Sequence, residues 1–139
     1  MQARIVLVAV IVFISLFSSC SKTSTETLDE TVSMEAQAGA LGSFAGVGAE
    51  KVTGSAQVFR TNNQNMLKLE NFSASNGPDL KVYLSKAATP TEFISLGDLK
   101  STNGNQVYEV KGNPDFKLYK FVLIHCERFN HLFGVAELK

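Results

Sequence analysis

The sequence predicts an all-β domain, a single antiparallel β-sandwich or barrel of about seven to eight short strands, after a disordered tether. Three observations predict this class. From residue 39 onward, apolar residues occupy alternate positions in short runs, as in strands that bury one face. Clusters of Gly, Pro and Asn separate the runs, and such clusters form turns. No helical period extends beyond about two turns in this region, so helices are not expected there.

The predicted strands follow one another with turn clusters between them. Leu67 and Leu69 alternate with charged residues, and Leu80, Val82 and Leu84 occupy every second position of the next run. The strand-like runs cover residues 66–70, 80–85, 93–96, 106–110, 118–126 and 132–138. The turn clusters cover residues 62–65, 75–78, 101–104 and 112–114. This spacing is typical of a sandwich or a barrel.

The N-terminus carries the features of a secretory signal. Arg4 precedes an apolar stretch of about 13 residues, which is shorter than the roughly 20 residues of a membrane-spanning helix. Ser18 and Ser19 then precede Cys20. The segment resembles a bacterial lipoprotein signal, so we predict that residues 1–19 are removed and that Cys20 is acylated. A plain signal peptide with an unmodified cysteine is the alternative.

Residues 20–38 are predicted to be an acidic tether rich in Ser and Thr. One lysine against four carboxylates gives residues 21–38 a net charge of −3, and they include no aromatic residue. Such a segment buries too little apolar surface to offset its conformational entropy. A short helix around Leu28, Val32 and Met34 is the alternative. The folded domain then covers residues 39–139.

Charge and metal-ligand counts exclude some functions. Thirteen basic residues balance thirteen acidic ones, so the chain lacks the basic character of nucleic-acid-binding proteins, and we expect no nucleic-acid partner. A closed structural zinc site needs four Cys or His ligands. The chain has two of each, so such a site would need all of them in one place.

Cys126 is the thiol that would remain after acylation of the first cysteine, so no intramolecular disulfide is expected. Alternation places Val122, Ile124 and Cys126 on one face of a strongly apolar strand. Packing in the core is one interpretation, since cysteine is among the most buried residue types. A redox thiol is the other interpretation. In that case Arg128 and His131, just beyond the strand, would modulate its reactivity.

The residues around Cys126 do not complete a known type of centre. A blue-copper site needs two histidines with the thiolate, but His125 points to the opposite face of the strand from Cys126. A nucleophile with a base and an orienting acid could be assembled from Cys126, His131 and either Glu127 or Asp79. Nothing in the sequence selects that set, so no complete catalytic constellation is predicted.

Three segments of the predicted domain together make up one motif pattern. Its residues are Val52, Gly54, Phe72, Gly77, Pro78, Asp79, Cys126, Phe129, Phe133 and Gly134. The middle segment has a phenylalanine followed by Gly-Pro-Asp. The last segment reads cysteine, two residues, phenylalanine, three residues, phenylalanine, glycine. This pattern resembles the DM-thirteen domain, a module found beside DOMON domains and proposed to take part in electron transfer.

The resemblance covers residues 39–138 and implies an extracytoplasmic β domain in which Cys126 is the suggested redox residue. Many members have a histidine at the position of Glu50 and a tryptophan at the position of His125. Without that histidine, the resemblance implies no haem or metal ligation at Glu50. We therefore expect no cofactor, and in particular neither haem nor copper.

Two functions stay open at this point. In the first, a lipoprotein of the cell envelope, either periplasmic or on the cell surface, serves as a redox or electron-transfer accessory through Cys126. In the second, the same anchored module binds a ligand or an envelope protein without catalysis, and Cys126 is structural. Both functions have the lipid bilayer as a partner through acylated Cys20, together with an envelope protein.

Overall fold

The computed structural model describes residues 27–31 and 37–139 and confirms the all-β class. These residues form nine strands: β1 Leu28–Asp29, β2 Gln37–Gly46, β3 Val52–Thr61, β4 Gln64–Ala74, β5 Leu80–Ser85, β6 Phe93–Asp98, β7 Asn103–Val110, β8 Phe121–Cys126 and β9 His131–Glu137. Within the described ranges no helix is long and apolar enough to cross a membrane.

The strands form one sheet in the order β1-β7-β4-β3-β2-β9-β8-β5-β6. Neighbouring strands are antiparallel except for β1 and β7, which are parallel. Strand β2 belongs to both halves of the sheet, because residues 37–43 pair with β3 and residues 44–46 pair with β9. The sheet curls into a half-barrel, and its two halves enclose the core.

The connection between β3 and β4 shows why the strands end where they do. Thr61 pairs with Gln64, so the turn consists of Asn62 and Asn63. These two residues have φ values of 47° and 63°, as a two-residue type I′ turn requires, and asparagine tolerates this conformation better than most residues do. The predicted turn cluster therefore narrows to two residues, and the rest of it belongs to β4.

The core lies between the two halves of the half-barrel. It is made of alternate apolar side chains, chiefly Val58, Leu67, Leu69, Phe72, Val82, Leu84, Tyr108, Val122, Ile124, Cys126 and Phe133. The predicted inner face of β8 is confirmed by Val122, Ile124 and Cys126. Leu123 and His125 point to the other face and are also buried. Burial on both faces explains why this strand is almost continuously apolar.

The N-terminal region differs from the expectation in its described part. Leu28 and Asp29, inside the predicted tether, form strand β1, and β2 begins at Gln37 rather than after residue 38. Composition alone did not indicate either strand. The predicted signal peptide, the acylated Cys20 and the remaining part of the tether lie outside the described residues.

Candidate functional site around Cys126

Cys126 is the last residue of β8, and its side chain is in the core. It is 0% exposed and belongs to the main buried cluster. Across the sheet it pairs with Leu80 on β5 and with His131 on β9. Because no part of the thiol is exposed, a reagent or a partner's disulfide reaches it only when the surrounding structure opens.

A β-bulge turns Phe133 towards the core at the same end of the half-barrel. Ile124 pairs with Gly134 and His125 pairs with Leu132, so Phe133 is the extra residue of β9 between them. Such a bulge changes the direction in which a side chain points. Phe133 is 5% exposed and belongs to the same buried cluster as the thiol.

Two glycines allow close packing at this end of the core. A Cβ at Gly134 would lie 2.7 Å from the Cβ of Val52. A Cβ at Gly77 would lie 2.8 Å from the Cδ2 of Leu80 and 3.0 Å from the Cζ of Phe133. These distances leave no room for a larger residue without displacing a core side chain. Both motif glycines therefore contribute to the closure of the core near Cys126.

Three connections cover this end of the half-barrel, which we call the thiol end: residues 47–51, 75–79 and 127–130. Backbone hydrogen bonds join them to one another. The amide of Ser75 donates to the carbonyl of Lys51 at 2.8 Å, and the amide of Glu127 donates to the carbonyl of Asp79 at 3.0 Å. The amide of Lys51 also donates to the Ser75 Oγ at 2.8 Å. The cover over Cys126 is thus one connected layer.

His131 lies on the outside of this layer. Its Nε2 is 3.4 Å from the Oε1 of Glu50, and its side chain is half exposed. Its ring meets the ring of Phe133 edge to face, with centroids 5.3 Å apart. His131 is the cross-strand partner of Cys126. The other predicted modulator, Arg128, is exposed in the turn after β8.

Phe129 is the largest exposed apolar side chain at the thiol end. It is 68% exposed, although it belongs to the motif pattern found in the sequence. The turn that carries it is closed by a hydrogen bond from the amide of Asn130 to the carbonyl of Glu127, at 3.2 Å. Asn130 has a φ of 47°. This motif residue therefore faces the solvent and does not pack in the core.

A polar cluster lies on the outer face of β8. Tyr83 donates a hydrogen bond to the carboxylate of Glu127, and its ring stacks on Phe93 with centroids 4.0 Å apart. The ring of His125 lies 5.6 Å from that of Tyr83. Burial lowers the pKa of His125, against an opposing hydrogen bond with Asn130. Its Nδ1 is buried and has no hydrogen-bond partner in the described structure.

The structure brings most of the predicted site residues to the thiol end. Those that pack in or against the core near Cys126 are Val52, Gly77, Phe133 and Gly134. Phe72 is buried farther along β4, edge to face with Phe44 at 5.4 Å. Gly54 lies against the backbone of β4. The Oδ1 of Asp79 forms an ion pair with the Nζ of Lys81 at 2.8 Å. Among the described residues, no group of three or more His, Cys, Asp or Glu could hold a metal ion.

The family comparison agrees with the fold and with the motif residues. The model of the family described as electron transfer DM13 matches residues 44–138, which is more than half of the chain. The chain belongs to this family, and its function is related to electron transfer. No match was found among curated proteins or among solved structures.

Sequence reasoning missed two groups of residues. One is the pair Tyr83 and Glu127 beside His125, which come together through the pairing of β5 with β8. The other is Glu30 with Lys100, a contact between residues 70 positions apart. Neither group has a local sequence signal, because both depend on which strands become neighbours.

Proposed function

We propose that the chain is a lipid-anchored, extracytoplasmic accessory of an electron-transfer system that docks a partner protein through its thiol end. The observation that carries this proposal is a contrast between the end of β8 and the turn that follows it. Cys126 is 0% exposed, whereas Phe129, three residues later, is 68% exposed. The buried thiol supports the core, and the exposed ring is free to contact a partner.

The chemistry of the turn supports docking. Aromatic and arginine side chains carry a large share of the energy in protein interfaces, and Phe129 stands beside the exposed Arg128. The hydrogen bond between Asn130 and Glu127 holds the turn in shape. A pre-shaped turn loses less conformational entropy on binding than a flexible one. The partner is an envelope protein, and acylated Cys20 holds the domain at the bilayer.

A second function is favoured by the pairing of Cys126 with His131. In this function the thiol end opens, and the Cys126 thiolate attacks a partner's disulfide. A mixed disulfide forms, one partner sulfur leaves as a thiolate, and the proton of the Cys126 thiol goes to the solvent or to His131. The Nε2 of His131, 3.4 Å from Glu50, would accept that proton at the strand end.

Thiol reactivity separates the two functions. We expect iodoacetamide to modify Cys126 in the full-length chain only at the rate of global unfolding, because the thiol is completely buried. Cys126→Ser is the control for the site of labelling. Rapid modification of the native domain at neutral pH, slowed by His131→Ala, would favour the redox function over the docking function.

Docking is tested in intact cell envelopes. A photo-crosslinking residue at Arg128 should capture one envelope protein, and Phe129→Ala should lower the yield of that product at least tenfold. Leu118→Ala is the matched control, because Leu118 is 56% exposed outside the thiol end. Equal losses in both variants would contradict docking through Phe129. Mass spectrometry of the detergent-extracted protein tests the anchor, with acyl chains expected on Cys20.

A further inference from the structure

The edge of β7 that faces away from β4 pairs with a short segment from the N-terminal region. Strand β1 pairs with β7 in parallel, with Leu28 opposite Gly104 and Asp29 opposite Asn105. The amide of Glu30 continues the ladder by donating to the carbonyl of Asn105 at 3.0 Å. This is the geometry in which an extended peptide adds to the free edge of a sheet. Strand β7 would be an edge strand without β1, because its other neighbour is β4.

Both acidic side chains of the segment have hydrogen-bond donors on β7 or on the connection that precedes it. The carboxylate of Glu30 accepts hydrogen bonds from the Nζ of Lys100, at 2.8 Å to each oxygen. It also accepts one from the amide of Val107 at 2.6 Å. The carboxylate of Asp29 accepts one from the Nδ2 of Asn105 at 2.8 Å. The edge therefore recognises acidic side chains at two successive positions, in addition to the backbone.

The edge is shaped for a strand that approaches closely. Gly104 has a φ of +99°, and a Cβ at this position would overlap the carbonyl of Leu28. Glycine adopts this conformation without strain and leaves room for the neighbouring backbone. The Oδ1 of Asn105 accepts a hydrogen bond from the amide of Asn71 at 2.8 Å. That bond turns the Nδ2 of Asn105 towards Asp29, so the donor is oriented by the sheet itself.

We propose that the open edge of β7, with Lys100 and Asn105, is a binding site for an extended acidic peptide, and that the Leu28–Glu30 segment is its intramolecular ligand. The contacts are hydrogen bonds and one ion pair. In this pair the Lys100 side chain is 41% exposed and the Glu30 side chain is 34% exposed. Exposed ion pairs contribute little stability, so the segment can leave the edge without unfolding the domain. The site is thus a reversible clasp on the N-terminal segment.

One consequence of the clasp rests on the proposed lipid anchor. With the clasp closed, about eight residues separate Cys20 from Leu28, which reach at most about 28 Å. With it open, about 17 residues separate Cys20 from β2 and reach at most about 60 Å. The clasp would then set how far the thiol end extends from the bilayer.

Charge reversal in the full-length chain, solubilised in detergent, tests the clasp itself. We expect the amide of residue 30 to be protected from hydrogen exchange in the wild type. Glu30→Lys should raise its exchange rate at least tenfold. Combining it with Lys100→Glu should restore part of the protection, because lysine at residue 30 regains the ion pair but cannot accept the hydrogen bond from the Val107 amide. The amides of β8 control for the integrity of the fold and should not change. Rapid exchange of the Glu30 amide in the wild type would overturn the proposal.

A peptide added in trans tests recognition. A labelled peptide with the sequence of residues 25–33 should bind the Glu30→Lys chain, in which the edge is free, at least tenfold more tightly than the wild type. Replacing the peptide's own Glu30 with Gln should weaken binding, and equal binding to both chains would refute an edge site. Neither measurement involves the lipid or the thiol, so each is decisive even if the proposed anchor or docking function fails.

Discussion

The thiol end and the β7 edge are held together by different forces. At the thiol end, buried apolar side chains such as Phe133 and Val52 pack against motif glycines. At the β7 edge, Glu30 is held by hydrogen bonds and an exposed ion pair with Lys100. Burial of a large side chain contributes several kcal/mol, whereas an exposed polar contact contributes about 1 kcal/mol or less. The first region is therefore expected to open with the fold, and the second independently of it.

The largest effect is expected for Phe133→Ala. Truncating a fully packed phenylalanine costs about 3 to 5 kcal/mol, because the cavity collapses only partly. Urea unfolding should show this loss in the free energy of unfolding. Phe129→Ala makes the same chemical change on an exposed side chain and should stay within about 0.5 kcal/mol of the wild type. Similar losses in both variants would contradict the contrast between the two phenylalanines.

The sequence was sufficient to predict which face of β8 carries Cys126, because successive residues of a strand alternate between two faces. The pattern at Val122, Ile124 and Cys126 has this period, and all three are in the core. The same pattern did not indicate that Phe133 is buried while Phe129 is exposed. The burial of Phe133 depends on a bulge in β9, which is defined by the register with β8, whereas Phe129 lies in the turn between these two strands. Register is a property of two strands, so one strand's sequence does not reveal it.

An intermediate effect on the free energy of unfolding is expected from protonation of His125 as the pH falls. Burial lowers the pKa of its imidazole below the usual value of 6.5, so the unfolded chain binds the proton more readily than the folded one. Stability should therefore be complete above about pH 6.5 and decrease below it, by at most about 1.4 kcal/mol per pH unit for one proton. Urea unfolding between pH 7 and 5 measures the slope.

A pair of variants assigns this slope. His125→Asn should remove the decrease between pH 7 and 5, whereas His131→Asn, which changes a half-exposed histidine, should keep it. Retention of the slope in His125→Asn would show that another group is responsible. The slope also measures the cost of protonating a buried group directly beside Cys126 in the chain, in the region that is expected to open only with the fold.

The clasp at β7 shows a second limit of sequence reasoning. The composition around Leu28 is typical of a disordered tether, and two residues of strand are too few to produce a periodic signal. The contacts that order this segment come from Gly104 and Lys100, which lie 70 or more positions farther along the chain. The sequence around those residues predicted a turn cluster, but Gly104 belongs to β7. A docked segment of this kind is recognised only after its binding edge has been assembled.

The smallest effect is expected when the clasp is opened by acid. Burial raises the pKa of Glu30, but the hydrogen bonds from Lys100 and from the Val107 amide outweigh it, so the pKa lies below its usual value of 4.5. The docked segment is thus stabilised by the ionised carboxylate above about pH 4.5, and this stabilisation is lost as the pH falls through the lowered pKa. Because the pair is partly exposed, we expect a change of less than about 1 kcal/mol.

Hydrogen exchange of the amide of residue 30, corrected for the intrinsic pH dependence of exchange, should lose protection between pH 5 and 3. Over the same range Glu30→Gln should show low protection that does not vary with pH, and the β8 amides report whether the domain stays folded. Loss of protection at residue 30 only together with the β8 amides would show that the segment opens with the whole fold, and the contrast between the two regions would then be wrong.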